Sequence, residues 1–151
     1  MPQGVRNKIR LIDLLFLFFL LNLISTMKTI IHSDNAPKAI GPYSQAVETN
    51  GMLFVSGQIP INPKTGELST GTISEQTKLV MSNIGEILKT AGYSYENIVK
   101  TTCLLADIND FQEMNKVYSE FFPTNPPARS AFAVKDLPKG ARLEIEVIAS
   151  K

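Results

Sequence analysis

The stretch between Thr72 and Gly92 constrains the fold most, because its pattern is that of an amphipathic helix. Thr72 and Glu75 have the spacing of a capping box, and Gly92 is a typical helix stop. Apolar residues between them recur every three or four positions, at Ile73, Val80, Ile84, Ile87 and Leu88. The sequence therefore predicts a helix over 73–91 whose apolar stripe packs against another element.

A second helix and six β-prone runs accompany this segment. Asp110 with Glu113 predicts the start of the second helix, and Pro123 ends it. Asn50-Gly51 between two β-prone runs predicts a hairpin. The predicted order is β-β-β-α-β-α-β-β, with strands at about 28–32, 43–48, 52–57, 98–105, 129–134 and 142–149. We expect an α+β fold with both helices on one face of the sheet.

The opposite face of that sheet lacks a partner in the predicted fold. Both predicted helices have one apolar side, and no third helix remains in 27–151 to cover the second face. A large exposed apolar sheet face is rare in a monomer. We therefore expect the protein to form an oligomer.

Residues 1–26 differ in character from 27–151, and we predict that they are a separate N-terminal extension. Three basic residues precede a very apolar run that is shorter than the ~20 residues of a spanning helix. Three interpretations remain open: translated upstream sequence, a cleaved export signal, or a membrane-surface anchor. We expect a cytoplasmic protein without membrane contact, or an exported protein if 1–26 act as a signal.

Composition excludes several functional classes. The net charge of +1 gives no electrostatic sign of nucleic-acid binding. One cysteine and one histidine exclude a disulfide framework and a structural zinc site built from Cys and His, and we expect no metal. Any chemistry must therefore come from arginine, carboxylates, hydroxyls, amides and the backbone.

Arg129 is the strongest candidate for ligand binding, although a surface salt bridge is the alternative. Pro126 and Pro127 stiffen its approach and hold the guanidinium in a fixed frame. A fixed planar fork is suited to a small carboxylate. Glu144 and Glu146 share one face of the last predicted strand, and either could accept a proton from water. The spacing does not choose between them.

Other polar positions are weaker candidates. Tyr43 starts a predicted strand and is either a core residue or a site wall. Ser56 and Gly57 end a strand, where a glycine lets the backbone approach a ligand. Asn115 lies on the second helix, and Cys103 is expected to be a buried small hydrophobe.

Several stretches together resemble the Rid family of reactive-intermediate deaminases, in its RidA branch. They are AIGPYSQAV, VSGQIPINPKTGE, VKTTCLLADINDFQEMNKVY, PPARSAF and LEIEVIA, in order over roughly 27–151. The resemblance implies a chorismate-mutase-like (bacillary type) fold with a mixed sheet, assembled as a homotrimeric barrel with sites between subunits. It implies hydrolysis of 2-imino acids such as 2-iminobutanoate and 2-iminopropanoate, and their enamines, to 2-oxo acids and ammonia. It implies no cofactor.

The resemblance also assigns roles to individual residues. Arg129 corresponds to the arginine that binds the substrate carboxylate, and Glu144 to the glutamate that positions water. Tyr43, Gly57 and Asn115 correspond to residues that line the site, with Ser56 beside Gly57. Ala131 stands where many RidA members have a cysteine, so any contribution of that thiol is absent.

Alternatives from other classes remain. The first is a non-catalytic trimer that binds small carboxylates or acts like a chaperone. Further alternatives are a ribonuclease, an activity also reported for the family, and a chorismate mutase, which shares the fold.

Overall fold

Within residues 27–151, six strands and two α-helices follow one another in the predicted order. The computed structural model describes residues 10–16 and 27–151. Within 27–151 the elements are β1 (Thr29–Ile31), β2 (Ala46–Thr49), β3 (Met52–Gln58), α1 (Ile73–Thr90), β4 (Ile98–Leu105), α2 (Phe111–Ser119), β5 (Ala128–Ala133) and β6 (Leu143–Ser150). The predicted α+β class is confirmed.

One sheet contains all six strands, in the order β1-β2-β3-β6-β4-β5. β4 and β5 are parallel and the other neighbouring pairs are antiparallel, so the sheet is mixed as predicted. β6 is the last strand in sequence but lies between β3 and β4. The fold therefore has β1 and β5 at its two edges, and β5 carries Arg129.

The hairpin between β2 and β3 forms at the predicted turn. Asn50 and Gly51 both have positive φ angles, 51° and 71°, which a two-residue hairpin loop of this kind requires. The strands pair from Thr49 with Met52 back to Ala46 with Val55. This hairpin brings the residues before β2 next to the end of β3.

Both helices pack on one face of the sheet and enclose the core. The capping box is present, with the Glu75 amide donating to Thr72 Oγ1 at 3.2 Å and the Thr72 amide donating to Glu75 Oε2 at 2.7 Å. α1 contributes Ile84 and Leu88 to the core, which are fully buried against the sheet. Cys103 is 0% exposed, as predicted, and burial raises the pKa of its thiol to about 11.

The opposite sheet face exposes large apolar side chains. Phe54 on β3 is 43% exposed and Phe132 on β5 is 47% exposed. Ile30 on β1 is 53% exposed on the same face. Burying such surface is favourable by about 25 cal/mol per Å². This face is the one that the sequence predicted to lack a cover.

The prediction that Tyr43 starts a strand is wrong, because β2 begins only at Ala46. Gly41 has a φ of 122°, and the amide of Tyr43 donates to the Gly41 carbonyl at 3.0 Å. The Ser44 carbonyl accepts a bond from the Ser56 hydroxyl at 2.7 Å. A turn anchored by local bonds therefore replaces the first residues of the predicted strand.

The second helix starts where Asp110 predicted it. α2 begins at Phe111 after a short 3-10 turn, and Asp110 caps no amide with its side chain. The Asp110 carboxylate instead accepts two bonds from Arg142, at 2.6 and 3.1 Å. A bidentate ion pair with a charged fork outweighs a cap bond to a neutral amide.

The predictions for residues 1–26 mostly concern residues outside the described part of the chain. Residues 11–16 are helical and exposed, whereas 1–9 and 17–26 are not described. Among the described residues, no helix combines the length and apolar character needed to span a bilayer. The boundary at Met27 and the three interpretations of 1–26 stay predictions.

Candidate active site

A cavity of about 470 Å³ opens where the turn before β2 meets the ends of β3 and β6. Four of the predicted site residues line it, namely Tyr43, Ser56, Gly57 and Glu144. They come from three separate segments that sheet pairing brings together. Four of the seven predicted site residues are therefore brought together within one chain.

The Glu144 carboxylate lies directly against the backbone of Gly57. β6 alternates, so Leu143 and Ile145 point into the core while Glu144 points to the opposite face. A Cβ added to Gly57 would collide with Glu144 Oε1 and lie 2.7 Å from its Cδ. Only glycine lets the carboxylate occupy this place in the cavity.

The environment of Glu144 makes its carboxylate a stronger proton acceptor than an ordinary glutamate. Partial burial, followed by the negative charge of Glu146, raises the pKa of the Glu144 carboxyl above its ordinary value. Glu146 is exposed and does not line the cavity. The geometry thus distinguishes two glutamates that the sequence spacing left equivalent.

The hydroxyls of the cavity are partly engaged in holding its walls. Ser56 Oγ donates to the Ser44 carbonyl, as described above, and its amide donates to the Gln45 carbonyl at 3.0 Å. The Tyr43 hydroxyl accepts from the Ile40 amide at 3.4 Å, and its side chain is 52% exposed. Tyr43 therefore forms an open wall of the cavity.

Gln45 fixes a second wall and was missed by sequence analysis. Its side chain is 2% exposed, accepts from the Ser33 amide at 2.6 Å, and donates to the carbonyls of Ser33 and Pro37 at 3.1 and 2.8 Å. These bonds hold the loop 33–40, whose residues Pro37 and Ile40 line the cavity. Nothing in the local pattern marks Gln45 as buried, because its partners lie on a different segment.

Two lysines that sequence analysis did not single out also line the cavity. Lys38 belongs to the loop held by Gln45, and Lys139 lies in the turn Pro138–Gly140 with a φ of 58°. Both side chains belong to exposed residues. In the described part of the chain, neither forms an ion pair.

Arg129 lies elsewhere, on the helix-covered side of the edge strand β5. Its guanidinium stacks 4.6 Å from the ring centre of Tyr118 and 5.6 Å from that of Phe111, both on α2. It pairs in register with Thr101, whose hydroxyl bonds to the Tyr118 hydroxyl at 2.8 Å. Stacking holds the fork without neutralising it, since no described carboxylate lies within ion-pair distance.

Asn115 and Ala131 accompany Arg129 rather than the cavity. Asn115 is four residues after Phe111 and three before Tyr118, so it shares their side of α2. Ala131 follows Arg129 by two residues on the same face of β5 and packs on the core, paired in register with Cys103. The predicted site residues thus form two groups on opposite faces of one sheet.

Comparison with known proteins identifies the family. The family model described as Endoribonuclease L-PSP matches residues 33–151. The chain belongs to this family. The Rid family predicted from the sequence is this same family, since a relative and a solved structure that carry the Rid name match the chain. The predicted membership is confirmed.

Several relatives in the family cover most of this chain. The human protein named 2-iminobutanoate/2-iminopropanoate deaminase is 50% identical over 125 residues, which are 83% of this chain and 91% of that protein. A RutC family protein of Pyrococcus horikoshii is 53% identical over 83% of this chain and 99% of its own length. The Arabidopsis thaliana protein named Reactive Intermediate Deaminase A, chloroplastic, is 44% identical over 83% of this chain and 67% of its own length.

Solved structures of the family have the same fold. The Yersinia pestis Rid-family protein YyfA is 50% identical with a TM-score of 0.80, covering 83% of this chain and all (100%) of that chain. Escherichia coli TdcF with bound serine is 43% identical with a TM-score of 0.78, covering 82% of this chain and 98% of that chain. These likenesses confirm the predicted family fold.

Proposed function

We propose that this protein hydrolyses 2-imino acids and their enamine tautomers to 2-oxo acids and ammonia, with 2-iminobutanoate and 2-iminopropanoate as substrates. The observation that carries the proposal is the Glu144 carboxylate, held against Gly57 in a cavity and raised in pKa. Such a group is suited to accept a proton from an attacking water. Relatives about 50% identical are named for this reaction.

The proposed role in the cell is removal of reactive intermediates in the cytoplasm. Imines and enamines of this class leave the active sites of pyridoxal-phosphate enzymes such as threonine dehydratase. They hydrolyse unaided, so a catalyst serves by shortening their lifetime. Positioning and one base are enough for such a reaction.

We further propose that the working protein is a homotrimer whose sites combine residues of two copies. Within one chain Arg129 and Glu144 lie on opposite faces of the sheet, so one copy does not bring them together. Three observations support a composite site. Glu144 lies on the exposed apolar face of the sheet, Arg129 lies on an edge strand, and the Arg129 guanidinium forms no ion pair with a described residue. Symmetric assembly repeats the same contact at each interface.

The proposed mechanism follows from these two groups. Arg129 of one copy binds the substrate carboxylate with two parallel bonds. Glu144 of the neighbouring copy takes a proton from water while the oxygen attacks the imine carbon. The nitrogen takes up this proton from Glu144, which completes the carbinolamine. The hydroxyl proton then moves to the amine nitrogen, which leaves as ammonia while the C=O bond of the oxo acid forms. No electrons are exchanged with another molecule, so the proposed reaction requires no cofactor.

Two other functions make different predictions. A carboxylate-binding or chaperone-like trimer would bind small oxo acids without accelerating imine loss. A ribonuclease, as the family description suggests, would cleave RNA, but the net charge of +1 provides little attraction for phosphates. Imine hydrolysis uses the carboxylate in the cavity, which neither alternative requires.

A coupled assay tests the proposal. Threonine dehydratase generates 2-iminobutanoate from threonine, and semicarbazide traps the imine that remains, which is followed by absorbance. We expect the protein to lower the trapped fraction and Glu144→Gln to lose most of this effect, by about 10²–10⁴-fold. If wild-type protein leaves the decay of all imines tested at the spontaneous rate, the proposal is wrong.

A conservative change at Arg129 tests whether its guanidinium binds the substrate carboxylate. We expect Arg129→Lys to lose most activity, because an ammonium is a point charge and lacks the planar fork. Lys116→Arg on the exposed side of α2 is the matched control and should retain activity. Full turnover by Arg129→Lys would contradict bidentate binding.

A further inference from the structure

We infer that the cavity recognises a second negative charge on the substrate side chain, and that Lys38 and Lys139 bind it. The inference rests on the proposed function and names a class of substrate for the same site. This class is 2-imino acids that carry a second carboxylate, such as 2-iminosuccinate.

The charges of the cavity support an anionic ligand. Glu144 is the one acidic side chain that lines the cavity among the described residues, whereas Lys38 and Lys139 both line it. The two lysines come from segments about a hundred positions apart, and neither is neutralised by an ion pair within 27–151. Two cations and one carboxylate leave the cavity with a net positive charge, and a concave wall concentrates the field of such charges.

The size of the cavity exceeds what the smallest substrates need. A water molecule occupies about 30 Å³ in the liquid, so 470 Å³ has room for roughly fifteen atoms of that size. That number is about twice the non-hydrogen atoms of a four-carbon imino acid. A second cavity of about 160 Å³ shares Lys38 with the first and continues beyond it. Space for a longer or branched side chain therefore lies next to a lysine.

The arginine and the two lysines are suited to bind different carboxylates of the substrate. The carboxylate next to the imine has the same place in all substrates, which suits the rigid fork of Arg129. A side-chain carboxylate varies in position with chain length. Flexible ammonium groups such as those of Lys38 and Lys139 adapt to that variation. Asp34 lines the second cavity and bonds to His32 at 3.2 Å, and among the described residues it forms no ion pair with Lys38.

The test compares two imino acids of equal carbon number. 2-Iminosuccinate, generated by an aspartate oxidase, differs from 2-iminobutanoate by a carboxylate in place of a methyl group. We measure the ratio of their kcat/KM values for wild type, Lys38→Gln, Lys139→Gln and the double variant. We expect the ratio to fall about fivefold for each single change and more than tenfold for the double, because each pair is partly solvated. Lys89→Gln, an exposed lysine of α1 outside the cavity, controls for net charge and should keep the wild-type ratio.

A binding measurement separates failure of the subsite from failure of the proposed function. Calorimetry compares 2-oxoglutarate with 2-oxopentanoate, which also have equal carbon number, and needs no turnover. If no imine is hydrolysed faster, a preference for 2-oxoglutarate that the double variant loses still supports the subsite. The inference is overturned if the double variant weakens both ligands equally, since the lysines would then bind the common carboxylate. It is also overturned if neither ratio changes.

Discussion

Mixed trimers provide the sharpest test of a site shared between copies. Arg129→Ala removes the guanidinium that is proposed to bind the substrate carboxylate, and Glu144→Gln removes the proposed base from the cavity. Each variant alone should be inactive, since all of its sites lack one group. When the two variants assemble together, a site that takes Arg129 from one copy and Glu144 from its neighbour becomes complete wherever the intact residues meet.

The expected magnitude follows from the separation of the two groups on opposite sheet faces. With equal amounts and random assembly, half of the copies supply an intact Arg129 and half supply an intact Glu144. About a quarter of all sites then contain both. Trimers purified to contain both variants each have one complete site of three, so they should recover about a third of wild-type activity. A site built from a single chain recovers none, because each chain has a lesion.

The assay uses co-expression with two different affinity tags, followed by sequential purification. Native mass spectrometry verifies the mixed composition, and the imine-trapping assay measures turnover. A mixture of Glu144→Gln with Gly57→Ala is the matched control, because both lesions fall in the same cavity and should not complement. Absence of recovery in verified Arg129→Ala and Glu144→Gln mixtures would refute the composite site.

Three further predictions concern the cavity. Gly57→Ala should lower kcat/KM nearly as far as Glu144→Gln, because the new methyl group displaces the carboxylate. The double variant should lose little more activity than either single variant, and fully additive losses in kcat/KM would contradict this reasoning. Gln45→Met should raise KM or lower kcat well beyond the effect of Gln76→Met, because only the Gln45 bonds hold a cavity wall. Gln76 is a matched control, because it is 3% exposed and donates to the Gly71 carbonyl. If Gln45→Met and Gln76→Met change the kinetics and the free energy of unfolding equally, Gln45 has only a structural role. Because folding raises the pKa of Glu144 above 4.5, activity should fall as the pH decreases through that raised pKa, which a pH profile measures. Glu144→Gln should be more stable than wild type at pH 7, with a gain that disappears toward pH 4. A difference in denaturant midpoint that does not change with pH would contradict this linkage.

Local signals in the sequence predicted most of the fold. The Thr72 and Glu75 capping box and the Asn50-Gly51 turn involve residues within four positions of each other, so their geometry follows from the chain itself. Asp110 marks the start of α2 as predicted, but its side chain does not cap the helix, because Arg142, which is distant in sequence, competes for the carboxylate. Local patterns do not contain such competition.

The site was predicted less completely than the fold, for the same reason. Family resemblance named Arg129, Glu144 and Gly57, but spacing alone left Glu144 and Glu146 equivalent until the contact with Gly57 separated them. Lys38 and Lys139 are ordinary loop lysines in sequence, and only folding places both on one cavity. The division of the site between two sheet faces depends on strand order, which the alternation within each strand does not reveal.

The position of the single thiol has a consequence for survival in the presence of the proposed substrates. The carbon of an imine is electrophilic, and a thiolate that reaches it can add to it. Cys103 is buried beneath the sheet, with a pKa of about 11, and Ala131 on the neighbouring strand presents only a methyl group. The protein therefore offers the proposed substrates no accessible thiolate, and we expect it to resist covalent capture by them.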